Sequence, residues 1–196
     1  LAYDTIRTNS SLMTMTHFRA SVSKYLSDTT GAGTVLDFSA GWGDRLTGFM
    51  ASSSVRHIHL IDPRPGSIAC CRRQHAFVGS TKHLSLHQGG AEVVLPTLPS
   101  GTVDLIVSSP PYFNLEEYGE TTTEAQGQIR LKVDSVEGYL RVFLEPVLRH
   151  SARLLRSGGL LALNIDDNPR ADTIVCAPAL AIAKTIPDLL FVGTAG

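Results

Sequence analysis

Apolar and polar positions along the chain follow two rhythms. Short apolar runs recur, and between them the apolar spacing shifts to three and four residues. Residues 15–28 carry Phe18, Val22, Tyr25 and Leu26 on one face of a predicted helix, which Gly31 and Gly33 end. Thr34–Phe38 reads as a first strand and Ser39–Gly43 as a small-residue turn. Asp44 can open a helix that runs to about Ala51. Arg56–Ile61 is a second strand ending at Asp62, and Pro63 and Pro65 mark a turn and a helix start. Residues 66–78 read as a helix and 82–87 as a third strand.

The second half continues the alternation. Residues 88–101 are rich in glycine and proline, with one short helix predicted at Glu92–Leu95. Val103–Ser108 is a fourth strand stopped by two prolines. Residues 113–133 are polar and aperiodic, which predicts a mobile loop or lid. Asp134–Arg156 reads as a long amphipathic helix that Pro146 kinks or divides and Ser157-Gly158-Gly159 ends. Leu160–Ile165 is a fifth strand, followed by a helix at about 171–185 and a strand at 189–193. Near-continuous apolar strands separated by helices predict an α/β fold: a mostly parallel sheet with helices on both faces. No repeat or linker divides the chain, so we expect one domain over residues 1–196. The start at Leu1 and the stop after a predicted strand suggest a fragment or trimmed chain.

Composition narrows the function classes. Hydrophobic residues make up 43% and charged residues 18% of the 196 residues, an ordinary globular balance. The apolar runs are too short to span a bilayer and no signal segment opens the chain, so we expect an intracellular protein with no membrane partner. Cys70, Cys71 and Cys176 lack metal-ligand spacing and read as buried reduced thiols. His57 and His59 alternate on one strand and no metal role is expected for them. The net charge of −1 gives no sign of nucleic-acid binding, although residues 1–100 hold nine Lys/Arg against six Asp/Glu and residues 101–196 hold eight against twelve.

In open α/β sheets ligands bind beyond the carboxyl ends of the strands. After the first strand comes Asp37-Phe38-Ser39-Ala40-Gly41-Trp42-Gly43-Asp44. Its glycines allow a tight turn and close backbone approach to a ligand. After the second strand comes Asp62, which can accept hydrogen bonds from both hydroxyls of a ribose. The GxGxxG fingerprint of dinucleotide folds is absent, since Leu46 stands at its third glycine position. Asp37 would repel a pyrophosphate but favour the sulfonium and ammonium of S-adenosylmethionine.

The fourth strand ends in Ser108-Ser109-Pro110-Pro111-Tyr112. Two prolines there lock a rigid, non-helical turn. An exocyclic amine on adenine or cytosine is a poor nucleophile because its lone pair is delocalised into the ring. Hydrogen bonds from its N–H groups to the Ser109 hydroxyl and the Pro110 carbonyl could turn that lone pair toward a methyl donor. Tyr112 offers a flat face on which the base can stack. Positioning would supply most of the catalysis.

These residues resemble a known family. Ser109-Pro110-Pro111-Tyr112 matches the (D/N/S)PP(Y/F) motif of S-adenosylmethionine-dependent amino-methyltransferases, and Asp37–Gly43 is similar to their cofactor loop. His17-Phe18-Arg19, Phe113, Glu116-Glu117-Tyr118, Gly158-Gly159 and Leu163-Asn164-Ile165 are similar to further stretches of bacterial and phage DNA methylases, so the resemblance covers roughly residues 15–168. It implies a Rossmann-like class I methyltransferase fold, S-adenosyl-L-methionine as cofactor, and a nucleic-acid partner, DNA before RNA. The SPPY spelling is commonest among cytosine-N4 enzymes and DPPY among adenine-N6 enzymes; both bases occur with SPPY. The implied cofactor-binding residues are Asp37, Ser39, Ala40, Gly41, Trp42, Gly43, Asp62 and Glu92, the last near where the family contacts the adenine. The implied catalytic residues are Ser109, Pro110, Pro111 and Tyr112. No metal ligand is implied. The motif order places target recognition after the catalytic motif, in residues 113–133 or beyond Gly196.

Several residues have plainer readings. Trp42 can pack on a cofactor or simply fill its turn, and Arg45 reads as a helix-surface or salt-bridge residue. Glu116 and Glu117 could be neutralised by Arg130 or Lys132, or could read a substrate. Asp166 and Asp167 read as caps of the following helix. Competing functions are an RNA or protein-glutamine methyltransferase, although glutamine enzymes usually spell the motif NPPY, and a catalytically silent subunit that keeps the fold as a binding scaffold.

Overall fold

The apolar runs become strands because both of their faces are covered. The computed structural model describes residues 18–111, 133, 135–167, 174–187 and 189–193. In chain order the elements are α1 (Ala20–Thr30), β1 (Thr34–Asp37), α2 (Asp44–Ala51), β2 (His57–Asp62), α3 (Pro65–Val78), β3 (His83–Gln88), α4 (Ala91–Val94) with a 3₁₀ turn at Leu95–Thr97, β4 (Val103–Ser108), α5 (Val136–Tyr139), a π-helical turn (Leu140–Leu144), α6 (Glu145–Leu154), β5 (Leu155–Leu163) and α7 (Cys176–Lys184). The five strands form one sheet in the order β3-β2-β1-β4-β5. Every pairing is parallel. This is the α/β architecture the pattern predicts.

Alternate residues of the strands feed two cores. Leu36, Ile61 and Ile106 pack with Tyr139, Leu144, Val147 and Leu148 on one face. Val35, Ile58, Leu60, Leu105 and Val107 pack with Leu46 and Phe49 on the other. Full burial of such side chains is worth roughly 1.5–3 kcal/mol each. The amino end of β1 is fixed to β4 by Asp104, whose Oδ2 accepts from the amides of Gly33 at 2.9 Å and Thr34 at 2.7 Å. Arg156 Nε lies 2.6 Å from the other carboxylate oxygen.

Four expectations need correction. The buried face of α1 carries Ser23 and Ser27, whereas Val22 and Tyr25 are exposed. The reason is the neighbouring helix: a Cβ at Gly48 of α2 would collide with Ser23 Oγ and the Ala20 carbonyl. That approach is too close for large apolar side chains, and the Ser23 hydroxyl is satisfied by the carbonyls of Ala20 (3.0 Å) and Arg45 (3.1 Å).

The expected helix over 134–156 is α5, the π-helical turn and α6, so the irregular turn precedes Pro146. Ser157-Gly158-Gly159 does not end that helix but interrupts β5. The register jumps from Val103↔Leu155 to Leu105↔Leu160, and Gly158 takes φ 78° where the strand bulges. Residues 189–193 form no strand, and Leu190 and Val192 are exposed. Of the predicted loop over 113–133, residues 113–132 lie outside the described residues, as do the helix start at 171–173, Tyr112, and His17.

Candidate active site

The five strand ends meet along the carboxyl edge of the sheet. The turn after β1 is held to β2 by backbone and side chain: Ala40 N donates to Ile61 O at 2.9 Å, and Gly41 N donates to Asp62 Oδ2 at 2.8 Å. Gly41 and Gly43 take φ 54° and 87°, left-handed values that explain both glycines. Gln74 of α3 donates to the Trp42 carbonyl at 2.7 Å, and a Cβ at Gly43 would collide with that same Gln74 side chain. Trp42 stands 44% exposed with the Arg64 guanidinium 4.9 Å above its ring. It therefore does not fill the turn, because its ring projects from it.

Asp37 is fully buried, and protein groups occupy both of its oxygens. Oδ2 pairs with Arg45 Nε at 2.7 Å. Oδ1 accepts from the Ser108 hydroxyl at 2.8 Å and from Ser39 N at 3.1 Å. Arg45 also donates to the Ser39 carbonyl and lies 5.1 Å over the Phe18 ring. The expected free charge beside a ligand is therefore replaced by a neutralised buried pair that shapes the turn. The salt-bridge reading of Arg45 agrees with this contact.

Asp62 is different. Its carboxylate accepts from Arg64 N at 2.9 Å and from Gly41 N at 2.8 Å. Burial raises its pKa, and those amides, the Arg64 charge and the Ser67 hydroxyl pull the other way. Each oxygen has two lone pairs. One on each remains for a further donor after the two amide bonds.

The end of β3 returns beside this acid, with Gly89 N donating to Asp62 O at 3.1 Å. Glu92, in the first turn of α4, folds back so that a Cβ at Gly90 would lie 2.5 Å from its Oε2. Beyond β4, Ser109 is half-buried, Pro110 buried and Pro111 half-buried. Asn164 N, just past β5, donates to the Ser108 carbonyl at 2.9 Å. The Asn164 side-chain amide approaches Ser109 Oγ at 3.5 Å.

The structure thus brings Asp37, Ser39, Ala40, Gly41, Trp42, Gly43, Asp62, Glu92, Ser109, Pro110 and Pro111 to one edge of the sheet, while Tyr112 lies outside the described residues. Sequence reasoning missed Ser108, Gln74 and Asn164 as members of this edge. A serine closing an otherwise apolar strand was the available signal for Ser108. Asp167 accepts from Val175 N (2.6 Å) and Cys176 N (2.8 Å) at the start of α7, while Asp166 accepts only from Asp167 N (2.9 Å). Of the three thiols, Cys71 is buried and burial pushes it up to about 12, while Cys70 and Cys176 are half-buried, less than expected. Among the described residues no cluster of three metal-ligating side chains occurs, and no helix is long and apolar enough to cross a membrane.

No family model matches the chain. It is 39% identical over 83 residues to the type II methyltransferase M.XycI of Xanthomonas campestris pv. cyanopsidis. It is 37% identical over 83 residues to the type II methyltransferase M.Cfr9I of Citrobacter freundii. Each match covers 42% of this chain and 25% of the relative, so the matched stretch spans a quarter of either enzyme. Among solved structures, a candidate methyltransferase from Streptococcus mutans in complex with SAH superposes with a TM-score of 0.57 at 11% identity, over 87% of this chain and 84% of that one. A methyltransferase from Geobacter sulfurreducens gives 0.55 at 15% identity, over 92% and 75%. The fold is the Rossmann-like methyltransferase fold. Within it, the sequence relatives are type II methyltransferases.

Proposed function

We propose that this chain is the catalytic domain of an S-adenosylmethionine-dependent methyltransferase acting on the exocyclic amine of a nucleic-acid base, DNA before RNA, at cytosine N4 or adenine N6. The observation that carries this reading is the meeting of the Asp37–Gly43 turn, Asp62 and the Ser109–Pro111 turn at one sheet edge. Kinship over 83 residues with two type II methyltransferases supports it. We place the protein inside the cell, where such a substrate is met.

The residues fit the cofactor. Asp62 has a lone pair on each oxygen for the two ribose hydroxyls. The turn takes left-handed backbone values that glycine favours at Gly41 and Gly43, which leaves its backbone there without side chains toward the edge. Glu92 stands where β3 returns beside Asp62, and Trp42 offers an exposed ring. Bound there, the cofactor supplies an electrophilic methyl group. Ser109 Oγ and the Pro110 carbonyl accept the two amine N–H bonds, and Tyr112 stacks on the base. The prolines offer no N–H that could divert the turn into sheet pairing. Holding the amine in line provides the rate enhancement through orientation.

Incubation with labelled S-adenosylmethionine, separately with DNA and RNA, followed by nucleoside mass spectrometry tests this reading. N4-methylcytosine or N6-methyladenine from the DNA is expected. Label only in RNA or protein would move the substrate class. Absence of binding heat with the cofactor would leave a scaffold.

A further inference from the structure

The sheet order reverses between β1 and β4, so the ligand crevice opens there. Paired residues on these strands run through Val35↔Leu105 and Leu36↔Ile106 and go no further. Beyond that point the two strands carry the two candidate loops, one leading to Gly41–Gly43 and the other to Ser109–Pro111. Ser108 Oγ crosses this gap to Asp37 Oδ1 at 2.8 Å, and both residues are fully buried.

We propose that Ser108 is a positioning residue that couples the two loops through Asp37, so that filling the first loop sets the geometry of the second. This rests on the reading of the first loop as the cofactor site. Asp37 Oδ1 holds Ser39 N, inside the first loop, and the Ser108 hydroxyl, at the root of the second. Arg45 grips the opposite oxygen and the Ser39 carbonyl, so the first loop cannot shift without moving that carboxylate. Ser108 is held from the other side as well, because its carbonyl takes the Asn164 amide at 2.9 Å. A shift of Asp37 is therefore passed to Ser108, then to the Ser109–Pro111 turn and to Asn164. The hydroxyl is not needed for charge balance, since Arg45 already neutralises Asp37. An alanine would suit the apolar strand equally well. What the hydroxyl adds is a directional link of a few ångströms, and errors of about 1 Å in a reacting pair cost up to about 100-fold in rate.

The binding arm of the test uses S-adenosylhomocysteine and needs no nucleic-acid substrate, and a second arm follows methyl transfer from S-adenosylmethionine to DNA. In the unaltered chain, calorimetry gives the affinity, and amide NMR should show Ser109 and Asn164 shifting on saturation. In Ser108→Ala the ligand affinity should stay within about threefold while those two shifts are lost. Single-turnover methyl transfer should fall about ten- to hundredfold. Ser108→Thr keeps the hydroxyl and should recover both signals, which a loss of packing alone would not predict. If the ligand binds but Ser109 and Asn164 do not respond in the unaltered chain, or respond equally in Ser108→Ala, the coupling is wrong and the cofactor site stands. If no ligand binds to the unaltered chain, the cofactor reading fails and the coupling with it.

Discussion

Asp37 and Asp62 end adjacent parallel strands and are both buried, yet they sit in opposite electrostatic settings. Asp37 has a cation in contact, a hydroxyl and an amide, all from the protein. Asp62 has two amides and a raised pKa, and it keeps acceptor capacity. Position at a strand end does not by itself define a ligand contact. An acid whose bonds are completed internally organises the loop, and one left partly uncompensated is suited to receive a ligand.

The largest effect should come from breaking the first setting. Asp37→Asn leaves the Arg45 guanidinium buried without its anion, which costs roughly 3–5 kcal/mol. Urea unfolding should show it, and a loss under about 1 kcal/mol would mean that the pair is solvated. Gly48→Ala reaches the same setting indirectly. Its Cβ would push α2, which carries Arg45, away from α1, at roughly 1–3 kcal/mol. The change should lower the melting temperature and leave the Asp62 side unaffected.

Asp62→Asn should behave in the reverse way. Removing a buried charge offsets the loss of one amide bond, so stability should change by about 1 kcal/mol or less. Affinity for S-adenosylmethionine should drop at least about tenfold by calorimetry. Equal stability losses in Asp37→Asn and Asp62→Asn would erase the distinction.

The last effect shows only in acid, where stability falls. His59 is held down to about 4, first by burial and then by the charges of His87, His57 and His83. His59 Nδ1 and His87 Nε2 are 3.3 Å apart, a contact that needs at least one neutral ring. The unfolded chain therefore binds a proton that the folded chain refuses between about pH 6.5 and about pH 4. Stability should fall as pH drops through that window. Asp62, with its raised pKa, has the opposite sign: folded chains take up its proton first, so stability rises as pH falls through its window. His59→Gln should flatten the decline above pH 4 in thermal melts, and an unchanged curve would refute the assignment.

Much of this architecture was legible in residue pattern. Val103–Ser108 and Asp44–Ala51 fall where the apolar spacing and turn residues put them, because continuous burial on both faces leaves little choice. The serine face of α1 was not legible, since it is dictated by Gly48 on another helix. Nor was the bulge at Gly158, where the glycine pair reads equally as a helix stop. At the site, the loop glycines and Asp62 announce themselves through local chemistry. The partnership of Asp37 with Ser108 joins residues 71 positions apart, and only the folded sheet reveals it.

The bulge in β5 has a consequence for handling the protein. Among the described residues β5 is an edge strand nine residues long, mostly apolar, of the kind that templates pairing between copies. Arg156–Gly159 breaks its run of backbone donors and acceptors near the start and twists it locally. A flattening substitution such as Gly158→Val should therefore lower solubility before it alters the site, which light scattering of concentrated samples would show.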